Sequence, residues 1–127
     1  MAIPQPVPTP EVPPNNHTYS QAVRLGDLVF LSGQLGADPA TGAIADGITA
    51  QTRQALDNVA SVLSAAGSGL DLVAKVNIFI TDFSLLGDMN LVYQTYFPHR
   101  PAKTTVEISR LDKGALIEIE VVAAQRS

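Results

Sequence analysis

The chain has 127 residues, of which 46% are hydrophobic and 16% charged, and a formal net charge of −4. That length and apolar content suffice for one domain with its own core, and the acidic balance offers no basic face for a nucleic-acid backbone. The absence of cysteine removes disulfides, thiolate metal sites and cysteine nucleophiles, and the two histidines, His17 and His99, have no ligand spacing, so no metal is expected.

Residues 1–16 carry Pro4, Pro6, Pro8, Pro10, Pro13 and Pro14. Proline fixes φ and lacks the amide donor, so this arm is expected to lie outside any regular sheet ladder, as a tail before a domain spanning 17–127. Tyr19–Arg24 and Leu28–Ser32 are strand-like runs joined by Gly26-Asp27, a Gly-X pair suited to a II′ hairpin. Asp38-Pro39 and Thr41-Gly42 then mark an exposed loop or short hairpin. From Ile48 to Ala66 the apolar residues recur at three- and four-residue intervals, which predicts a helix stopped by Gly67 and Gly69. Leu72–Ile80 reads as a buried strand, and a second helix is expected over Ser84–Phe97, ended by Pro98. Two strands close the chain, Lys103–Ile108 and Ala115–Ala124, about a turn at Asp112-Lys113-Gly114.

The order β-β-α-β-α-β-β predicts an α+β fold, a mixed sheet with both helices packed on one face. Its other face then needs a partner, which together with the low charged fraction points to an oligomer. No apolar run approaches the ~18–20 residues that span a bilayer, and no signal peptide is visible, so a cytoplasmic protein is expected.

Alternation puts Lys103, Thr105 and Glu107 on one face of their strand, and Leu116, Glu118, Glu120 and Val122 on one face of theirs. Two carboxylates two residues apart on one face repel each other unless a cation or solvent intervenes. One reading is structural: Glu118 and Glu120 pair with Lys103, Lys75 or Arg110 across neighbouring strands. The other is a site.

Pro101-Ala102-Lys103-Thr104-Thr105, the strand that follows, and Ile117-Glu118-Ile119 resemble the C-terminal signature of the Rid (reactive intermediate deaminase, YjgF-like) family, with lysine where the family has arginine. The resemblance extends from Tyr19-Ser20-Gln21-Ala22-Val23 through Ser32-Gly33-Gln34, Asn90 and Tyr93. It implies a chorismate-mutase-like homotrimer with active sites in clefts between subunits. It also implies hydrolysis of enamines or imines to 2-oxo acids and ammonia, with no cofactor. In that family the arginine holds the substrate carboxylate, which maps to Lys103, and the glutamate that positions or activates water maps to Glu118. Tyr19, Ser32, Gly33, Asn90, Tyr93 and the backbone at Thr105 match the positions that bind substrate. The chain departs from the family at His17-Thr18, where Gly-Pro is common, and in a short segment between Phe97 and Pro101. Lysine offers a point charge in place of a bidentate fork, so the substrate is expected to differ from the usual small imino acids. A non-catalytic ligand-binding or regulatory trimer of the same fold is the alternative. An RNA-cleaving activity, reported for some relatives, sits poorly with the net charge of −4. A Schiff base on Lys103 would need a depressed pKa and has no neighbouring cation in sequence.

Overall fold

The computed structural model describes residues 2–9 and 18–127. A short strand β1 (Gln5–Pro6) is followed by β2 (Ala22–Leu25), β3 (Leu28–Leu31) and β4 (Gln34–Leu35). Helix α1 (Gly47–Ala65), strand β5 (Val73–Ile80), helix α2 (Leu86–Tyr96), and strands β6 (Ala102–Glu107) and β7 (Ile117–Ala124) complete the fold. All strands join one sheet in the order β1-β2-β3-β7-β5-β6, with β4 continuing beside β7. Only β5 and β6 run parallel, α2 making the crossover between them, so the sheet is mixed as the element order predicts.

The β2–β3 hairpin has the expected two-residue turn. Gly26 has φ +59 while Asp27 keeps an ordinary negative φ, the combination a II′ turn needs. The loop after β4 closes as a short hairpin through the Ala37–Ile44 bridge.

The core lies between the sheet and the two helices. Along β7, Ile117, Ile119, Val121 and Ala123 are buried while the alternate residues are half-buried. Val76, Ile78 and Ile80 of β5 meet Ile48, Leu56, Val59 and Leu63 of α1 and Met89 and Phe97 near α2 in the same cluster. Burying each such side chain stabilises the fold by roughly 1.5–3 kcal/mol before the entropy of ordering it. The opposite face is mixed. It exposes Leu28, Phe30 and Val106, and the register sets them among Asn77, Thr104, Glu118 and Glu120.

The proline arm departs from expectation. Gln5 and Pro6 pair antiparallel with Arg24 and Val23, the Val7 amide donates to the Ala22 carbonyl at 2.9 Å, and Val7 is buried in the core cluster. The physical reason is parity. In an antiparallel ladder alternate residues turn their amides toward the neighbour, and here Gln5 and Val7 do so. Pro6 turns away, and Pro4 and Pro8 stand at the same parity, so no ladder bond requires a donor that proline lacks. Residues 10–17, including His17 and the expected arm–domain boundary, lie outside the described residues.

Candidate functional site

Glu118 lies on β7 with Leu35 of β4 on one side and Phe79 of β5 on the other. Its side chain leans over Gly33: a methyl group built at Gly33 would collide with the Glu118 carboxylate. Glycine leaves the room that the Glu118 carboxylate occupies, and a side chain there would push the carboxylate aside. Ser32 is tied alongside, its hydroxyl donating to the Ser20 carbonyl at 2.6 Å and its amide to the Gln21 carbonyl at 2.9 Å. These bonds hold the segment after Tyr19 against the segment around Gly33. Burial pushes the Glu118 carboxyl above its ordinary value, and the charges of Glu120 and Asp112 add to that shift.

Lys103 lies elsewhere. Its ammonium donates to Asn90 Oδ1 at 3.0 Å and sits 4.5 Å from the centre of the Tyr93 ring, so both of its neighbours come from α2. Partial burial holds its pKa below the usual lysine value. The Tyr93 phenol is raised to about 12 by burial and stays neutral near pH 7. The hydroxyls of Tyr93 and Thr105 are buried with no hydrogen-bond partner among the described residues. Each such orphan costs about 1–3 kcal/mol.

The register decides how these residues relate. Ile78 pairs with Thr105 on one side and Ile119 on the other, so Lys103 and Thr105 share the helix-facing side of the sheet. Phe79 pairs with Val106 and Glu118, which puts Glu118 on the open side. One chain thus carries two separate clusters. Ser32, Gly33 and Glu118 belong to the first, with the exposed Tyr19 just before the Ser20 carbonyl that Ser32 holds, and Asn90, Tyr93, Lys103 and Thr105 to the second.

The alternative pairing of Glu118 and Glu120 with lysine does not form. Among the described residues the ion pair within 4.0 Å joins Arg126 to Asp71, at 2.8 Å on the surface. Lys75 donates to Thr104 instead, and Glu120 accepts a long bond of 3.4 Å from Asn77. The sheet order puts Lys103 on the wrong face to reach either carboxylate. Gln21 and Gln34, part of the sequence motif but given no role by it, are buried and bonded to each other at 2.7 Å beside Ser32. Their signal was a polar side chain directly beside apolar strand residues, Ala22-Val23 for Gln21 and Leu35 for Gln34. No group of three or more His, Asp or Glu is placed to hold a metal ion among the described residues, and no helix there is long and apolar enough to cross a membrane.

Comparison with known proteins gives the family of the fold. The 2-iminobutanoate/2-iminopropanoate deaminase of Salmonella typhimurium is 39% identical over 112 residues, 85% of this chain and 88% of that protein. The crystal structure of the yeast protein YEO7 superposes with a TM-score of 0.93 at 36% identity, covering 98% of this chain and all of that one. That of Escherichia coli TdcF with bound serine superposes with a TM-score of 0.89 at 33% identity, covering 96% and 99%. The family model described as Endoribonuclease L-PSP matches residues 9–125, nearly the whole chain. With its sheet order, its Gly33–Glu118 contact and relatives of this kind, the chain belongs to the Endoribonuclease L-PSP family, the YjgF/Rid family of the sequence resemblance.

Proposed function

We propose that this protein hydrolyses an enamine or imine bearing a carboxylate to a 2-oxo acid and ammonia. In this reading it acts as a homotrimer whose site joins the Lys103 cluster of one copy to the Glu118 cluster of its neighbour. The observation that carries the reading is the separation of the two clusters onto opposite faces of one sheet. Each cluster holds half of the chemistry that imine hydrolysis needs, and a second copy is the simplest way to bring the halves together. The named activity of the Salmonella relative and the amino acid bound to TdcF support a small, carboxylate-bearing substrate.

The division of labour follows from the side chains. Lys103 presents three donors, one of them held by Asn90 Oδ1, and the others serve the substrate carboxylate. The backbone at Thr105 adds a hydrogen bond along the same edge. Glu118 takes a proton from water as the water oxygen bonds to the iminium carbon, giving a carbinolamine. Glu118 returns that proton to the carbinolamine nitrogen, the carbon–nitrogen bond breaks to release ammonia, and the remaining hydroxyl proton passes through Glu118 to the ammonia, giving ammonium as the carbonyl forms. A carboxylate raised by burial is a stronger base than an exposed one, which suits it to both transfers. Proton and nitrogen balance without any other reactant.

The test is ammonia release from 2-iminopropanoate and 2-iminobutanoate generated in situ by an amino-acid oxidase. Wild-type acceleration is expected, weaker on these small imino acids than on a longer one because Lys103 lacks the arginine fork, with Glu118→Ala and Lys103→Ala each inactive. Refolding the two inactive variants together is expected to restore part of the activity, because some sites then combine an intact Lys103 cluster with an intact Glu118 cluster. No wild-type acceleration, with saturable binding of 2-oxo acids, would instead make this a ligand-binding trimer. Activity without complementation would reject the shared site.

A further inference from the structure

The strand that reaches Glu118 is not continuous. Leu28, Val29 and Phe30 of β3 face Ala124, Ala123 and Val122, while Gln34 and Leu35 of β4 face Ile119 and Glu118. Between these ladders β7 spends residues 120 and 121, whereas the opposing chain spends 31, 32 and 33. One extra residue has been inserted, and the register slips by one: a bulge. Gly33, whose missing side chain makes room for the Glu118 carboxylate, stands at its end.

Such an irregularity must be held, and the side chains that hold it are unusual. Gln21 and Gln34 are 8% and 6% exposed. The Gln34 amide donates to Gln21 Oε1 at 2.7 Å and also reaches the Ser32 carbonyl at 3.2 Å, inside the bulge. The Ser32 amide returns to the Gln21 carbonyl, and the Ser32 hydroxyl to that of Ser20. Two buried amides are a poor choice for filling a core, since each must find partners or destabilise the fold. Here their partners are one another and the backbone of the bulge. We infer that Gln21 and Gln34 are positioning residues, a buried amide clamp that fixes the Ser32–Gly33 bulge and so holds the Glu118 carboxylate in its orientation and shielding. This rests on the deaminase reading for its catalytic consequence but not for its structural one.

The charged groups around Glu118 bound what the clamp can change. Glu120 on its own strand and Asp112 in the turn before it push its titration upward, and burial is the largest cause. The flanking strands bring Leu35 and Phe79, neither ionisable, so shielding by the bulge is the component open to the clamp.

The experiment follows the Glu118 carboxyl by carbon-detected NMR through a pH titration, in the full chain and in Gln21→Met, Gln34→Met and the double variant. Methionine keeps the length and loses the amide. Each variant is expected to move the Glu118 midpoint down by about half a pH unit as water reaches it. In parallel, kcat on the imine substrate should fall about tenfold with KM changed less than about twofold. A clamp that merely stabilised the fold would lower the unfolding temperature and leave the Glu118 titration alone. That result in folded variants would overturn the inference. Should Gln34→Met fail to fold, Gln34→Asn keeps the amide one methylene short of Gln21 and decides the same question. If the wild type turns over no imine, the functional reading fails, while the titration still settles the clamp.

Discussion

Glu118 sits in mid-sheet between two strands, roofed by a bulge and crowded by Glu120 and Asp112, whereas Lys103 stands on the edge strand with its amine resting on two α2 side chains. The first cluster is fixed by a register slip and a glycine in the backbone and by two buried glutamine side chains. The second is fixed by side chains that can turn. The contrast teaches where each can tolerate change. In the proposed reaction a carboxylate that transfers protons needs a defined position, which the sheet favours. A cation that holds a carboxylate needs only to arrive, and a flexible stem over an aromatic ring allows several geometries.

The largest expected effect breaks the first cluster. Glu118→Gln keeps the shape and removes the base, so kcat on an imine substrate should drop about 100-fold or more while circular dichroism stays unchanged. Gly33→Ala should come next. Its methyl group takes the space of the Glu118 carboxylate, which must swing aside, so most of the activity should be lost while the thermal midpoint moves little. The second cluster should respond more mildly. Lys103→Arg restores a bidentate fork and should lower KM for a carboxylate-bearing substrate by about tenfold, with little change in stability. An unchanged KM would show that the edge does not bind the carboxylate.

The smallest effect is a trade between function and stability. Burial, with the charges of Glu120 and Asp112, holds the Glu118 carboxyl above its ordinary value, so the folded state holds its proton more tightly than the unfolded chain does. Its contribution is therefore intact below that value and is lost as pH rises through the raised folded pKa. Glu118→Gln should raise the thermal midpoint slightly at neutral pH and leave it unchanged near pH 4, the opposite of what losing a structural carboxylate would do. Equal midpoints at both pH values would mean that its burial carries no penalty.

How much of this was legible in the sequence differs between the same two regions. The long helix over Ile48–Ala66 and the β7 alternation were plain, because the 19 residues of the helix and the eight of the strand each repeat one period. Strand β4 was not: two residues carry no period, and pairing with β7 across the chain alone defines it. The eight site residues followed from the family motif, but their division into two clusters did not. Local alternation gives each strand two faces without saying which face of β6 matches which face of β7. That is set by β5 lying between them, a long-range fact. The clamp of Gln21 and Gln34 was hidden for a related reason, since each amide is explained only by the other. At Gln5–Val7 the expectation failed because the prolines were weighed by number and not by spacing.

That spacing has a consequence at the sheet's outer rim. With Gln5 and Val7 turned inward, the position facing outward in the ladder is Pro6, a residue with no hydrogen to give, and Pro4 and Pro8 repeat the pattern to either side. A stray strand arriving edge-on would find carbonyls but no matching donors, and could not zip onto this side. At the far edge, residues 102–107 of β6 contain no proline and keep every amide. The sheet thus has one rim able to template a further strand and one that is chemically silent, so aggregation through the β1 side is blocked by composition alone.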